Sequence, residues 1–117
     1  MKIVYASKTG NVRRFVQKLG VPASDVMSTD WMTEPFILIT YTIGFGEVPS
    51  EVAEFLADNH EFLRGVIASG DKVWGANYGK SGDIISREYG VPLIHKFEKA
   101  GMESDVQTVK QYLDDAK

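Results

Sequence analysis

The chain of 117 residues is long enough for one domain with its own hydrophobic core, and its composition, 44% hydrophobic and 25% charged, is that of a globular protein. Because it contains no cysteine, disulfides, thiolate metal sites and thiol catalysis are excluded. A net charge of −3, the lack of a long apolar run and an N-terminus unlike a secretory signal lead us to expect a cytoplasmic protein with no nucleic-acid or membrane partner.

Short apolar runs typical of buried strands alternate along the chain with helix-like stretches. The runs are Ile3–Ala6, Phe36–Tyr41, Val66–Ser69 and Leu93–Phe97, with a weaker one at Asp25–Ser28. Only about seven residues separate the weak second run from the third, too few for a crossover helix, so we expect a loop or single turn there. The alternation predicts a parallel α/β sheet.

Four helices are predicted from the spacing of apolar residues and from terminal signals. They are Asn11–Leu19, Pro49–Asn59, Ser81–Tyr89 and Ser104–Ala116. Ser104 or Asp105 is expected to cap the last helix. Its inward-facing residues are predicted to be Val106, Val109, Tyr112 and Leu113.

The segment after the first strand, residues 7–12, has the composition of a phosphate site. Ser7 and Thr9 supply hydroxyls, Gly10 allows close backbone approach, and a helix beginning at Asn11 presents unpaired N–H groups. An ordinary helix cap uses the same residue types. Because ligands of open parallel sheets bind beyond the carboxyl ends of the strands, the position in the first βα turn favours a monoester phosphate.

Two further segments suit a planar ligand. In residues 41–49, Phe45 stands between two glycines, which let peptides adopt conformations forbidden to other residues. Residues 69–79 are rich in glycine and contain Trp74 and Tyr78 as possible walls. Both segments follow predicted strands, so they are expected at the same sheet edge as the first.

Motifs across nearly the whole chain resemble one family. They are Ser7-x-Thr9-Gly10-Asn11, Phe36–Tyr41 before Gly44-Phe45-Gly46, Gly65–Gly70 followed by Trp74-Gly75, and Gly90-Val91-Pro92 before Lys96-Phe97-Glu98. Together they resemble the NrdI family, the flavodoxin-like stimulatory proteins of class Ib ribonucleotide reductase. The resemblance implies an α/β fold, a flavodoxin-like doubly wound five-stranded parallel sheet of order 2-1-3-4-5, as one FMN-binding domain over residues 1–117.

The resemblance also implies where FMN binds without covalent attachment. The residues expected around its phosphate are Ser7, Lys8, Thr9, Gly10, Asn11 and Val12. Those expected around its ring are Tyr41, Thr42, Gly44, Phe45, Gly46, Ser69, Gly70, Asp71, Trp74, Tyr78 and Gly79.

Three positions depart from the related motifs. Val12 stands where the flavodoxin phosphate motif has a hydroxyl residue, so one phosphate contact is expected from backbone alone. Asp71 and Val73 stand where the family commonly has asparagines. An ionised, poorly solvated carboxylate at Asp71 would disfavour a negatively charged reduced flavin and lower its second reduction potential.

The implied function is that of a redox donor in deoxyribonucleotide synthesis. Reduced FMN reacts with oxygen, and the oxidant, superoxide in the family, reaches the dimanganese subunit of the reductase to generate its tyrosyl radical. An electron donor for the flavin is the second implied partner. Since the flavin does the chemistry, we expect no catalytic acid, base or nucleophile. His60 and His95 match no metal-ligand spacing, so no metal site is expected.

Other functions remain open on the residues alone. A short flavodoxin carrying single electrons to another enzyme would use the same site with a different partner. A phospho-acceptor receiver domain shares the fold but needs clustered aspartates where Tyr5-Ala6-Ser7 stands. A flavin-free interaction module would require all three segments to be ordinary loops.

Overall fold

The computed structural model describes residues 1–116 as one five-stranded parallel sheet in the order β2-β1-β3-β4-β5. The predicted sheet order is confirmed. The strands are β1 (Lys2–Tyr5), β2 (Ala23–Asp25), β3 (Phe36–Thr40), β4 (Leu63–Gly70) and β5 (Leu93–Glu98).

Four α-helices cover the two faces of the sheet. They are α1 (Asn11–Leu19), α2 (Ser50–Asn59), α3 (Lys80–Tyr89) and α4 (Glu103–Asp115). The predicted helices are therefore present, with ends displaced by at most one residue. Within the part of the chain that is described, no helix is long and apolar enough to cross a membrane.

Alternation along the strands divides the core between the two faces. Phe36 and Leu38 of β3 are buried with residues of α2, whereas Ile37 and Ile39 are buried with residues of α1 and α4. Successive strand side chains point to opposite faces, so a strand covered on both sides is apolar throughout. The resulting rigid sheet fixes the positions of the loops at its carboxyl edge.

The second strand lies earlier than predicted. Ala23–Asp25 pairs with β1, and residues Val26–Ser28, which we expected to be extended, form a single 3₁₀ turn. The Asp25 carboxylate accepts a hydrogen bond from the Met27 N–H at 2.9 Å. This local bond competes with strand pairing and ends the strand. The short connection to β3 contains no crossover helix, as predicted.

The start of α4 also corrects the prediction. The N-cap is Met102, and the Asp105 carboxylate, inside the first turn, accepts from the Met102 N–H at 2.8 Å and lies 2.7 Å from His95 Nε2. An acidic side chain is favoured there because it satisfies a free N–H and complements the helix dipole. Tyr112, predicted to face inward, is exposed.

Candidate functional site

A cavity of about 470 Å³ lies where β1, β3 and β4 end, so the three segments singled out in the sequence meet there. Its lining comes from residues 7–12 (the β1 segment), 41–49 (the β3 segment), 69–79 (the β4 segment) and one residue after β5. The lining residues are Ser7, Lys8, Thr9, Asn11, Val12, Tyr41, Thr42, Ile43, Gly44, Ser69, Gly70, Asp71, Trp74, Asn77, Gly79 and Lys99.

A larger groove of about 770 Å³ lies at the opposite edge of the sheet, beside Met1–Ile3 and Pro35. It receives none of the three segments. Ligands of parallel sheets bind at the carboxyl edge, so the smaller cavity is the candidate site.

The β1 segment leaves its polar groups available. Gly10 is the N-cap of α1 with φ +91°, so it has no side chain to satisfy the N–H groups of the first turn. Ser7 Oγ accepts from the Arg13 N–H at 3.3 Å. Within residues 1–116, the side chains of Lys8 and Thr9 have no hydrogen-bond partner. The segment is thus a cradle of donors at the positive end of a helix dipole.

The β3 segment forms a tight turn with two glycines at positive φ. The Ile43 carbonyl accepts hydrogen bonds from the N–H groups of Gly46, at 3.1 Å, and Glu47, at 2.7 Å. Gly44 has φ +54° and Gly46 φ +108°, a region that side chains disfavour. Phe45 at the tip is 74% exposed. Its ring meets that of Trp74 edge-on, with centroids 5.5 Å apart.

The β4 segment is held at both ends by bonds to other elements. At its start, the Ser69 carbonyl accepts from Thr42 Oγ1 at 2.9 Å, and Ser69 Oγ donates to the Lys99 carbonyl at 2.6 Å. At its end, Lys96 Nζ donates to the Tyr78 carbonyl at 3.0 Å and to Asp83 Oδ2 at 2.6 Å. These bonds bring the two ends of the segment together on the sheet edge.

Gly70 and Gly79 make that closure possible. A Cβ at Gly70 would lie 2.7 Å from the Gly79 backbone nitrogen, too close for any side chain. A Cβ at Gly79 would lie 2.9 Å from Lys96 Cδ. Gly70 is therefore required by close packing against backbone, and Gly79 by its φ of +59°.

The charged groups lining the cavity are Lys8, Lys99 and Asp71. Asp71 Oδ1 accepts from the Val73 N–H at 3.0 Å. Tyr41, on the rim, donates to Glu51 Oε2 at 2.5 Å, and burial together with this bond raises the pKa of its phenol well above the ordinary value. The phenol therefore stays protonated throughout the physiological pH range.

Most of the predicted site residues are brought together, and four of them do not line the cavity. Gly10 caps α1, Phe45 points to solvent, and Gly46 is buried against Lys80. Tyr78 is half-buried. Burial raises the pKa of its phenol, and the negative charges of Asp105 and Glu98 raise it further.

Three lining residues were missed by the sequence analysis: Ile43, Asn77 and Lys99. The first two lie inside segments already singled out, so including every residue of those segments would have found them. Lys99 follows β5, whose end was not considered. Its position near the cavity depends on hydrogen bonds to β4, for which the sequence carries no signal.

Solved structures share this fold at low sequence identity. Flavodoxin 1 from Bacillus cereus is 20% identical, with a TM-score of 0.69, covering 95% of this chain and 92% of that one. A short-chain flavodoxin associated with a non-canonical PDU bacterial microcompartment is 21% identical, with a TM-score of 0.68 and coverages of 97% and 93%. A Fusobacterium nucleatum flavodoxin bound to flavin mononucleotide is 13% identical, with a TM-score of 0.62 and coverages of 98% and 95%.

The sequence itself identifies the family. A family model described as NrdI flavodoxin-like matches residues 3–111. This range includes β1 from its second residue, the whole of β2 to β5 and all three segments of the cavity. The chain therefore belongs to the NrdI flavodoxin-like family.

Proposed function

We propose that this chain is a single FMN-binding domain that supplies superoxide or electrons to the dimanganese subunit of a class Ib ribonucleotide reductase, which uses them to form its tyrosyl radical. Family membership over residues 3–111 supports the reductase as partner. The observation that carries the cofactor assignment is the meeting of a donor cradle and two aromatic segments in one cavity. Its volume, about 470 Å³, is in the usual range for cofactor sites.

The β1 segment fits a phosphate. The N–H groups of Asn11 and Val12, the Thr9 hydroxyl and the Lys8 ammonium are donors without another partner in the described chain. The Arg13 N–H is already bonded to Ser7 Oγ. A dianionic phosphate needs several donors and is favoured at a helix N-terminus. Val12 has no hydroxyl, so its contribution would come from its N–H.

The β3 and β4 segments fit a flat ring. Gly44, Gly70 and Gly79 let the backbone approach closely, and the indole of Trp74 supplies an apolar surface at the cavity wall. The side-chain oxygens of Thr42 and Ser69 are already engaged, the first with the Ser69 carbonyl and the second with the Lys99 carbonyl. We therefore expect these two residues to shape the ring site through their backbone and their bracing role.

Bound FMN would supply the redox chemistry, taking up electrons and releasing them to oxygen or a partner. The protein's residues would bind, orient and partly shield it. Phe45 and Trp74, 74% and 46% exposed, form an apolar edge at the mouth of the cavity. Exposed aromatic residues are typical of docking surfaces, so this edge is the expected contact for the reductase subunit.

The test is a visible spectrum of the purified protein, followed by stepwise reduction and exposure to oxygen. We expect a yellow protein with about one FMN per chain, reduced protein that forms superoxide rapidly, and activation of a manganese-loaded radical subunit. A colourless protein that takes up no added FMN would overturn the cofactor assignment. Flavin that reoxidises slowly and fails to activate the subunit would instead favour a one-electron carrier for another enzyme.

A further inference from the structure

Lys99 is the only non-glycine residue with positive φ in residues 1–116, at +54°. This left-handed conformation is uncommon for a residue with a side chain and persists only where surrounding contacts impose it. Here the Lys99 N–H donates to the Gly70 carbonyl at 2.9 Å, and its carbonyl accepts from Ser69 Oγ at 2.6 Å. The end of β4 thus holds the Lys99 backbone on both sides.

The turn that follows is held from the opposite side by α1. Lys18 Nζ donates to the carbonyls of Ala100 and Gly101, each at 3.0 Å. A Cβ at Gly101 would lie 2.6 Å from the Phe15 ring, so the turn packs tightly onto the helix. With β4 on one side and α1 on the other, the direction in which Lys99 leaves the backbone is fixed.

Lys99 lines the cavity beside Ser69, Gly70 and Asp71, at the end we propose for the flavin ring. It is exposed and forms no ion pair with any described residue. Its charge is therefore available to the cavity. Asp71 and Lys8 are the other charged residues on the lining, and Lys8 belongs to the phosphate cradle.

We propose that the positive charge of Lys99 stabilises the reduced, negatively charged flavin and offsets the repulsion expected from Asp71. This inference rests on the proposed FMN site. Adding two electrons and one proton to the ring leaves one extra negative charge, which a nearby cation favours by Coulomb attraction. The effect is confined to the reduced state, so it raises the second reduction potential and hardly changes the affinity for oxidised FMN.

The test compares two variants that differ in charge at this position. Lys99→Arg keeps the cation, and Lys99→Asn removes it while remaining suited to positive φ. Lys2→Gln, at the opposite edge of the sheet, controls for the loss of one charge from the whole protein. Potentials are measured by equilibration with a reference dye at low and high salt.

We expect Lys99→Asn to weaken binding of reduced relative to oxidised FMN about threefold to tenfold, equivalent to about 30 to 60 mV at 59 mV per tenfold for one electron. The difference should shrink in high salt. Lys99→Arg and Lys2→Gln should retain the original potential. Equal potentials in the Asn and Arg variants, with FMN bound normally, would overturn the role of Lys99 and leave the proposed function standing.

Failure of the unaltered protein to bind FMN would overturn both the role of Lys99 and the proposed function. If Lys99→Asn does not fold, Lys99→Gly removes the charge and relieves the backbone strain, and the same comparison with Lys99→Arg applies.

Discussion

The phosphate cradle and the ring walls of the candidate site are built in different ways. In the β1 segment, Lys8 and Thr9 have no side-chain partner in the described chain, and the remaining donors are the first N–H groups of α1. The β4 segment is instead tied to the rest of the protein. Its ties come from Thr42, Lys96, Glu98 and Lys99.

The difference separates binding from architecture. Groups without internal partners are available to a ligand, so their removal should affect binding and leave the folded protein unchanged. Removal of groups that brace a wall should lower both the stability of the loop and the affinity for the ligand, because the ring site exists only while the segments are held together. The following predictions test this separation, beginning with the largest expected effect.

Thr9→Val should weaken FMN binding by about 1 to 3 kcal/mol, because a charged phosphate oxygen loses a hydrogen bond. Thermal stability of the FMN-free protein should not change, since Thr9 has no partner within the described residues. Titration calorimetry and thermal unfolding measure the two quantities. Thr33→Val, at another exposed threonine, is the matched control. Unchanged FMN affinity in Thr9→Val would show that the phosphate does not bind at the β1 segment.

Lys96→Met should weaken FMN binding by about 1 to 2 kcal/mol and also destabilise the FMN-free protein, because the Tyr78 carbonyl and Asp83 lose a charged donor. Methionine keeps the stem that packs on Gly79. Denaturant unfolding and FMN titration are measured together. Lys110→Met, on α4, is the control. Weakened binding with unaltered stability would contradict the bracing role.

Trp74→Ala should weaken FMN binding by about 1 kcal/mol through the loss of aromatic contact. Fluorescence gives an independent readout when Trp31, the other tryptophan, is replaced by Phe. In that background we expect FMN to quench Trp74 emission strongly and flavin removal to restore it. Unaltered affinity and spectrum in Trp74→Ala would exclude it as a ring wall.

The β3 turn is predicted to respond to reduction by turning a backbone carbonyl toward flavin N5. Among the described residues, neither the Gly44 carbonyl nor the Phe45 N–H of the same peptide is hydrogen-bonded, so this peptide is free to rotate. The next peptide is held, because its Gly46 N–H donates to the Ile43 carbonyl. Reduced, protonated N5 donates a bond that oxidised N5 cannot, and the gain is roughly 0.5 to 1.5 kcal/mol. Crystals of oxidised and reduced protein test this directly. One peptide orientation in both states would exclude the switch.

Gly44→Ala sharpens the same question in solution. Alanine disfavours φ +54°, so the variant should lose part of the stabilisation of reduced FMN, and its flavin reduction potential should fall. Gly20→Ala has a similar φ of +67° with open space around it, so it reports the general cost of such a substitution away from the cavity. A potential altered equally by both would assign the effect to stability alone.

Sequence reasoning was reliable where one physical signal dominated. Continuous apolar runs such as Phe36–Thr40 and the helical stripe of α1 predict their elements because burial on the sheet requires that spacing. The prediction was wrong where local bonds competed. Asp25 and Asp105 each bond to a neighbouring N–H, which shifted β2 and the cap of α4.

The sequence by itself determined the parallel α/β class, the family and the three segments of the cavity, because short-range patterns and motifs encode them. The sheet order followed from the resemblance to the family. Only the tertiary structure decided that Lys99 joins the cavity and that Lys96 braces its wall. Lys99 is 29 residues beyond Gly70 in the chain, yet its N–H bonds to the carbonyl of that residue. Such contacts depend on how neighbouring strands end side by side, and no pattern of adjacent residues records that.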